Sequence, residues 1–129
     1  MTEVSVSKRY DVPAEAMWSR IGDPLALAAW HPAVQTTEAV EGGRVRVNTT
    51  VSGDRVVESI VDRGERHYTF TMDETPLPFA DFVSTIGVTD DGADGCVVVW
   101  RAKLSPDGVS EPDAAELVSG FFQAGLDTL

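Results

Sequence analysis

The sequence contains a single cysteine, Cys96, and only two histidines, His31 and His67. One cysteine excludes an internal disulfide and a cysteine-rich metal site, and the apolar neighbours of Cys96 predict a buried, inert thiol. Basic residues are also scarce, since Lys and Arg number 10 against 21 Asp and Glu, a formal net charge of −11. Because this charge repels phosphate backbones, we expect no nucleic-acid partner.

Long apolar runs and signature loops are missing as well. No stretch approaches the ~20 apolar residues of a membrane helix, and the first residues, Met1 to Val4, lack the basic region and apolar core of a signal peptide. We therefore expect no membrane insertion and a cytoplasmic protein. The sequence has no glycine-rich phosphate loop, no His-Glu-x-x-His and no Gly-x-Ser-x-Gly. It predicts no metal site and no cofactor, so that any catalysis would be cofactor-free.

The length of 129 residues fits one domain over 1–129. Residues 2–11 alternate as a half-buried strand does, and Pro13 and Pro24 then mark the starts of two short helices. Turn residues divide the following segment into short strands, which predicts an antiparallel meander. The predicted strands lie at about 33–40, 44–51, 55–62, 66–73, 80–89 and 96–105, which makes six strands, or seven with the first.

A long helix is predicted over 112–129, with Ser110 as its cap. Its apolar residues recur at three- and four-residue spacing, which places them on one face. They are Ala114, Leu117, Val118, Phe121, Phe122, Gly125, Leu126 and Leu129. Gly120 and Gly125 each disfavour a helix interior by about 1 kcal/mol, so we expect either a bend or a close backbone approach there.

The order of these elements and several short segments resemble one superfamily. The segments are Asp11-Val12-Pro13-Ala14-Glu15-Ala16-Met17-Trp18, Ile21-Gly22-Asp23, Trp30-His31-Pro32-Ala33-Val34, Val57-Glu58, Tyr68-Thr69-Phe70, Pro76-Leu77-Pro78, Val99-Trp100-Arg101 and Phe122-Gln123-Ala124-Gly125-Leu126. They resemble the SRPBCC superfamily of START and birch-pollen-allergen-like proteins, in its bacterial polyketide cyclase/dehydrase subgroup. The resemblance implies an α+β helix-grip fold: a curved antiparallel sheet of six to seven strands around a long C-terminal helix, with two short helices after the first strand.

Such a sheet leaves more inward-facing surface than one helix fills, and this predicts a cavity for a small hydrophobic ligand. Side chains that share a strand parity or lie on the helix stripe are its candidate ligand-binding residues, although each of them could also be simple core packing. They are Trp30, Phe70, Met72, Phe79, Phe82, Trp100, Val118, Phe121 and Phe122.

Three residues are candidates for proton transfer or hydrogen bonding. His31 titrates near neutrality and lies where the mouth of the cavity is expected, but it could also be a structural histidine. Glu58 shares parity with Val56 and Ile60, so it either enters the cavity or is a solvated or salt-bridged residue, with Arg101 or Arg46 as partner. Tyr68 could donate a hydrogen bond to an enolate oxygen.

Three functions are compatible with this pattern. The first is a cofactor-free polyketide cyclase or dehydratase that promotes aldol cyclisation or loss of water, as the resemblance implies. The second is a noncatalytic carrier of a lipid, terpenoid or signalling metabolite. In the third, the cavity is small or filled by side chains and the acidic surface meets a protein partner. The sequence leaves open whether the chain is a monomer or a homodimer.

Overall fold

The computed structural model describes residues 1–129, and its main element is one antiparallel sheet of seven strands. The prediction of six to seven strands is therefore confirmed at seven. Gly53 and Gly92 adopt positive φ angles of 93° and 77° in two of the turns between strands, where a side chain would be strained. The strands are β1 (Thr2–Tyr10), β2 (Val34–Val40), β3 (Val45–Thr50), β4 (Arg55–Arg63), β5 (His67–Glu74), β6 (Phe79–Asp90) and β7 (Cys96–Pro106).

The strand order is β1-β7-β6-β5-β4-β3-β2, so the two strands that come first in the chain form opposite edges of the sheet. The connection between them contains the α-helix α1 (Ala14–Ile21) and a 3₁₀ helix (Pro24–Ala29). Asp23 caps the 3₁₀ helix, since its side chain accepts a hydrogen bond from the Leu25 amide at 2.9 Å. The two predicted short helices are present, and they carry the chain across one end of the sheet.

The C-terminal helix α2 (Glu111–Leu126) lies on the inner face of the sheet and packs against β1 and β7. Ser110 caps it by accepting a hydrogen bond from the Asp113 amide, as predicted. The predicted helix-grip architecture is thus confirmed. Helix α2 ends at Leu126, three residues before the predicted end, because the last residues form a tighter turn in which the Thr128 amide donates to the Gly125 carbonyl at 3.2 Å.

One strand parity faces the inner side of the sheet, where α2 lies. Trp100 and Ala102 of β7 are at most 4% exposed, and Tyr68 and Phe70 of β5 are similarly buried. Cys96 is fully buried and unpaired, as expected. The inward parity predicted for these strands is therefore confirmed, and it forms the core between the sheet and α2.

The predicted apolar stripe of α2 needs one correction. Ala114, Val118, Phe122 and Leu126 are buried, but Leu117 is 52% exposed. Leu117 precedes Val118 by one position, a rotation of about 100° around the helix, which takes its side chain to the edge of the buried face. No helix of the structure is long and apolar enough to cross a membrane.

Candidate functional site

A cavity of about 270 Å³ lies between the sheet and α2. Its position follows from simple dimensions, because seven strands span about 29 Å whereas a helix with its side chains is about 10–12 Å wide. Helix α2 covers the β1 and β7 side, which leaves the inner face of the remaining strands partly open. The interior therefore contains an open cavity, whereas the third functional hypothesis expected one that is small or filled by side chains.

The structure places all of the predicted ligand-binding residues except Trp30 in the wall of this cavity. Phe70, Met72, Phe79, Phe82 and Trp100 come from β5, β6 and β7, and Val118, Phe121 and Phe122 come from α2. Trp100 stacks on Phe122, with ring centroids 4.3 Å apart, and these two rings form the floor between sheet and helix. Whether these residues contact a ligand stays a prediction.

Trp30 does not line the cavity, which corrects its predicted position. Its ring packs behind Trp100 at a centroid distance of 5.7 Å, and its buried indole N–H has no hydrogen-bond partner. The residue sits at the end of the 3₁₀ helix, one layer behind the wall. Trp30 therefore supports the cavity indirectly.

His31, one of the candidates for proton transfer, also lies outside the cavity wall. Its Nε2 is 2.8 Å from the carbonyl oxygen of Phe121, and its Nδ1 accepts from the Ala33 amide at 3.1 Å. A carbonyl can only accept and an amide N–H can only donate, so the ring is neutral with its proton on Nε2. Burial lowers the pKa of His31. With both nitrogens occupied, the imidazole joins α2 to the segment before β2 and has no free atom for a ligand.

Gly125 explains how His31 reaches the helix. A Cβ atom at this position would lie 2.6 Å from Cδ2 of His31 and 3.0 Å from the Trp30 ring. The expectation of a close backbone approach is thus correct at Gly125. A Cβ at Gly120 would meet nothing within 4 Å, so no close approach occurs there.

Tyr68 is 1% exposed and lies behind the cavity wall. Its phenol oxygen accepts a hydrogen bond from Nη1 of Arg46 at 3.1 Å. The predicted position next to a ligand is therefore corrected: Tyr68 lies behind the wall, next to Arg46 and the ring of Phe70.

Glu58 does enter the cavity wall. The register of β3 and β4 pairs Arg46 with Glu58 and Asn48 with Val56, so all four side chains point to the inner face. Glu58 is 4% exposed, and its Oε1 is 2.8 Å from Nε of Arg46. The sequence left two alternatives for Glu58, a position inside the cavity or a salt bridge, and the structure shows both. Glu58 faces the interior and forms a salt bridge with Arg46 rather than with Arg101.

Arg46, Glu58 and Asn48 form a connected polar cluster in an otherwise largely apolar wall. Asn48 donates from Nδ2 to the same Oε1 of Glu58 at 2.8 Å, which leaves Oε2 for another partner. Arg46 is completely buried, and its Nη1 also donates to the Pro24 carbonyl at 2.7 Å. Its second terminal nitrogen, Nη2, has no hydrogen-bond partner although it is buried. A buried guanidinium nitrogen without an acceptor is rare and requires an explanation.

The electrostatics of this cluster are set by burial and by mutual contact. Burial raises the pKa of Glu58, and the Arg46 guanidinium opposes that rise. Burial alone would lower the pKa of Arg46, but Glu58 and Tyr68 raise it, so the guanidinium stays charged. Glu58 is therefore a stronger base than an exposed carboxylate, held beside a permanent cation.

Sequence reasoning treated Arg46 only as a partner of Glu58 and did not nominate Asn48. The signal that could have found them is the alternation of Arg46, Asn48 and Thr50 along β3, which puts three polar side chains on one face. That face could be identified as the inner one only after β3 had been paired with β4.

The cavity opens beside the turn between β3 and β4. Val51 in that turn is 65% exposed and Leu117 on α2 is 52% exposed, yet both line the cavity, together with Leu77. Asp54 stands in the same turn, where its amide donates to Thr50 Oγ1 at 3.0 Å. The mouth thus has apolar edges with one carboxylate beside them. No group of three or more His, Cys, Asp or Glu side chains could hold a metal ion.

A bent antiparallel sheet that grips a helix and keeps a largely apolar cavity defines a helix-grip protein of the hydrophobic-ligand-binding class. The model of the family described as "Polyketide cyclase / dehydrase and lipid transport" matches residues 1–129, and the chain belongs to this family. The sequence resemblance is thereby confirmed. No match is found among curated proteins.

Solved structures show the same fold. The protein XoxI from Bacillus cereus is 29% identical, with a TM-score of 0.97 over 99% of this chain and 92% of that chain. A START superfamily protein from Mycobacterium smegmatis is 13% identical, with a TM-score of 0.83 over 99% of this chain and 94% of that one. The Zhui aromatase/cyclase from a Streptomyces species is 14% identical, with a TM-score of 0.70 over 97% and 84%. For the last two proteins, the likeness concerns the fold alone.

Proposed function

We propose that this protein binds one small, largely apolar organic molecule in the cavity and acts on it as a cofactor-free cyclase or dehydratase. The observation that carries this proposal is Arg46, a fully buried cation among the residues that line an otherwise largely apolar cavity, whose Nη2 has no hydrogen-bond partner. An unmade hydrogen bond of a buried polar group costs about 1–3 kcal/mol, and more for a charged group. A ligand oxygen beside Nη2 would remove that cost.

The cavity volume limits the size of the ligand. At a packing density of about 0.75, a space of about 270 Å³ holds roughly 200 Å³ of ligand atoms. This is enough for one or two fused rings with short substituents, or for a folded chain of similar size. A long extended lipid chain would not fit without protruding through the mouth.

The reaction we propose begins with a carbonyl oxygen of the ligand at Nη2 of Arg46. Glu58 takes a proton from the carbon next to that carbonyl, and the C–H electron pair becomes an enolate whose charge lies on the oxygen beside Arg46. The negative charge thus passes from Glu58 to the enolate, and the total charge of the site does not change. The enolate carbon then attacks a second carbonyl of the same molecule to form the ring, and the resulting alkoxide takes the proton from Glu58. For loss of water, Glu58 removes the second proton from the same carbon and gives it to the departing hydroxyl group, which leaves as water while the C=C bond forms.

Confinement supplies the other part of the proposed catalysis. Two reacting carbons held at near-attack distance react as though at very high local concentration, which can lower a barrier by about 7–11 kcal/mol in favourable cases. The rings of Phe70, Phe82 and Trp100 would hold a flexible chain in this folded form.

Noncatalytic carriage is the second candidate function. The observation that favours it is the use of one oxygen of Glu58 as acceptor by both Arg46 and Asn48, an arrangement that also suits a purely structural carboxylate. In a carrier, Arg46 would hold the ligand oxygen and Glu58 would only keep the guanidinium in place.

Binding is tested by thermal unfolding in the presence of a panel of polyketide-like, terpenoid and fatty ligands. A ligand that binds only the folded state raises its stability by RT ln(1 + [L]/Kd), so a ligand at 100 times its Kd adds about 2.7 kcal/mol. The matched control is Val118→Phe, which adds volume to the cavity wall and should abolish the shift. Absence of a shift with every ligand would refute both candidate functions.

Catalysis is tested with a short linear poly-β-ketone and with Glu58→Gln, which keeps the shape and the acceptor oxygen of the side chain. We expect the cyclisation rate to fall by about 10²–10⁴-fold, because the general base is lost. Ligand binding without any cyclisation by the native protein would leave carriage as the function. Equal cyclisation rates for the native protein and the variant would remove Glu58 from the mechanism.

A further inference from the structure

The sheet is not continuous between β5 and β6. The pairing of these two strands ends at Thr71 and Val83, so residues 72–82 lie between the two members of the last pair, whereas hairpin loops commonly have about two to five residues. Both strands nevertheless continue beyond this pair. Strand β5 stays paired with β4 as far as Glu74, and β6 is paired with β7 from Phe79 onward. The unpaired ends of β5 and β6 therefore leave a slit between them.

A bulge in β6 lies beside this slit. Two residues of β6, Asp81 and Phe82, stand opposite one residue of β7, Leu104. Asp81 has a φ angle of 53°, in the left-handed region that residues other than glycine seldom adopt. A bulge bends its strand and increases the local twist. The bend thus occurs at the point where β6 leaves β5.

One layer of side chains separates the slit from the cavity. Met72, Phe79 and Phe82 belong to the cavity wall, and the same three side chains line a depression in the protein surface at the slit. Asp73 and Val83, which follow two of them in the chain and point to the opposite face of the sheet, line the depression only. The cavity and the depression therefore lie on the two sides of this layer.

The three side chains of the layer are held with different firmness. Phe82 is 5% exposed, and its ring packs against those of Phe70 and Phe79 at centroid distances of 6.2 and 6.0 Å. Met72 and Phe79 are only partly buried. Met72 is also unbranched, with three rotatable bonds, so it changes its conformation easily. Rotation of Met72 and Phe79 toward the surface would join the cavity to the depression.

We infer that the slit is a second entrance to the cavity, through which a small apolar ligand enters and leaves when Met72 and Phe79 rotate toward the surface. This inference rests on the proposed function, since it requires a ligand in the cavity. Passage between two paired strands would break backbone hydrogen bonds, whereas passage through the slit breaks no pairing between β5 and β6. The first entrance is the mouth with Val51 and Leu117 at its edges.

The test follows uptake and release of the uncharged fluorescent probe N-phenyl-1-naphthylamine by stopped-flow. Loss of a wall contact acts mainly on the dissociation rate. A lower barrier to passage, in contrast, speeds association and dissociation alike. Met72→Ala should therefore raise both rate constants by about tenfold, which corresponds to a barrier lower by about 1.4 kcal/mol. The matched control is Val118→Ala on α2, which removes a wall contact away from the slit and should raise the dissociation rate only.

A narrowed mouth makes the comparison sharper. Leu117 is 52% exposed at the mouth, so Leu117→Trp should narrow the mouth without disturbing the core, and association should become slower. Met72→Ala in this background should bring the association rate back to the native value or above it. The slit would then carry the exchange that the mouth has lost.

Ala80→Trp examines the slit from the outer side. Ala80 is exposed and lines the depression, so a tryptophan there should cover the slit and slow association. Because the residue lies outside the core, this variant decides the matter if Met72→Ala does not fold.

An association rate equal to the native one in both Met72→Ala and Ala80→Trp would overturn the second entrance and leave the proposed function intact, because the probe still binds. Failure of Met72→Ala to restore association in the Leu117→Trp background would overturn it as well. If the native protein binds neither this probe nor any ligand of the panel, the proposed function fails, and the second entrance fails with it.

Discussion

Arg46 and Glu58 are the only salt-bridged pair with both side chains buried, at 0% and 5% exposure. Every other ion pair has at least one side chain that is about half exposed or more, so solvent screens it strongly. A buried pair is costly to desolvate, and well-packed apolar residues of similar volume are often at least as stable. Stability alone therefore gives no reason for this pair in the cavity wall, which agrees with the proposed function.

The first prediction separates these two contributions. Arg46→Met leaves Glu58 buried without a cation and should reduce the free energy of unfolding by about 3–5 kcal/mol. The double variant Arg46→Met with Glu58→Leu removes both charges and should recover more than half of that loss, yet bind no polyketide-like ligand. Urea unfolding measures both values. A double variant no more stable than the single one would show that the pair is mainly structural.

The second prediction concerns His31. Burial lowers its pKa below the ordinary value of 6.5, so the unfolded state takes up a proton more readily than the folded state. The stability that depends on neutral His31 is therefore fully present above about pH 6.5 and is lost as the pH falls toward the lower folded-state pKa. His31→Gln, whose amide can also donate and accept, should make the decline between about pH 8 and pH 5 shallower.

Urea unfolding over this pH range provides the measurement. His67→Gln is the matched control, because it removes an imidazole that is 44% exposed and paired only with Asp62 at the surface. It should keep the steep decline of the native protein. If His31→Gln declines as steeply as the native protein, the acid sensitivity lies elsewhere.

At the scale of elements, α2 is attached mainly through its C-terminal half. The Leu126 carbonyl accepts a hydrogen bond from the Tyr10 hydroxyl, the Phe121 carbonyl accepts one from His31, and Thr128 donates to the Trp30 carbonyl at 2.9 Å. The exposed side of the N-terminal half stands at the cavity mouth, at Leu117. The N-terminal end is held by one side-chain hydrogen bond, from Thr2 Oγ1 to Glu111 at 3.1 Å.

The third prediction uses the two glycines of α2 as a matched pair. Gly125→Ala would place a Cβ 2.6 Å from the His31 ring, so α2 must shift and stability should fall by about 1–3 kcal/mol. Gly120→Ala meets no atom within 4 Å and should raise stability by about 0.4–1 kcal/mol, since Ala favours a helix interior. Thermal unfolding gives both signs. A neutral Gly125→Ala would mean that the helix does not approach His31 so closely.

At the scale of the whole molecule, two mismatches matter. The sheet is wider than the helix it grips, which creates the cavity, and the acidic residues outnumber the basic ones, which gives a net charge of −11. The difference in width between sheet and helix leaves space for a ligand. The second imposes self-repulsion on the folded chain.

The fourth prediction follows from that charge. The screening length falls from about 30 Å at 0.01 M salt to about 8 Å at 0.15 M, so added salt should weaken the repulsion. We expect the melting temperature to rise by roughly 2–5 °C over this range. Asp94→Lys reverses one exposed negative charge in a turn and should reduce the rise. A melting temperature that falls with salt would show that surface ion pairs outweigh the repulsion.

The sequence by itself determined the secondary structure, the sheet parity and the family. Strand alternation, turn glycines and helix caps are local signals. An apolar residue at every second position of a strand, as in Tyr68, Phe70 and Met72, indicates which face of the strand points inward. These signals were enough to place most of the aromatic wall. They also gave the helix-grip architecture, because the order of elements leaves few ways to pack one long helix on one antiparallel sheet.

Only the tertiary structure decided which polar groups meet. The neighbourhood of Glu58 depends on the register between β3 and β4, and a slip of one residue would turn it to the solvent. His31 and Tyr68 do not line the cavity. His31 is hydrogen-bonded to the Phe121 carbonyl and Tyr68 to Arg46, and both contacts lie behind the cavity wall. Hydrogen bonds between residues far apart in the chain depend on distances of a few tenths of an ångström, which periodicity does not encode.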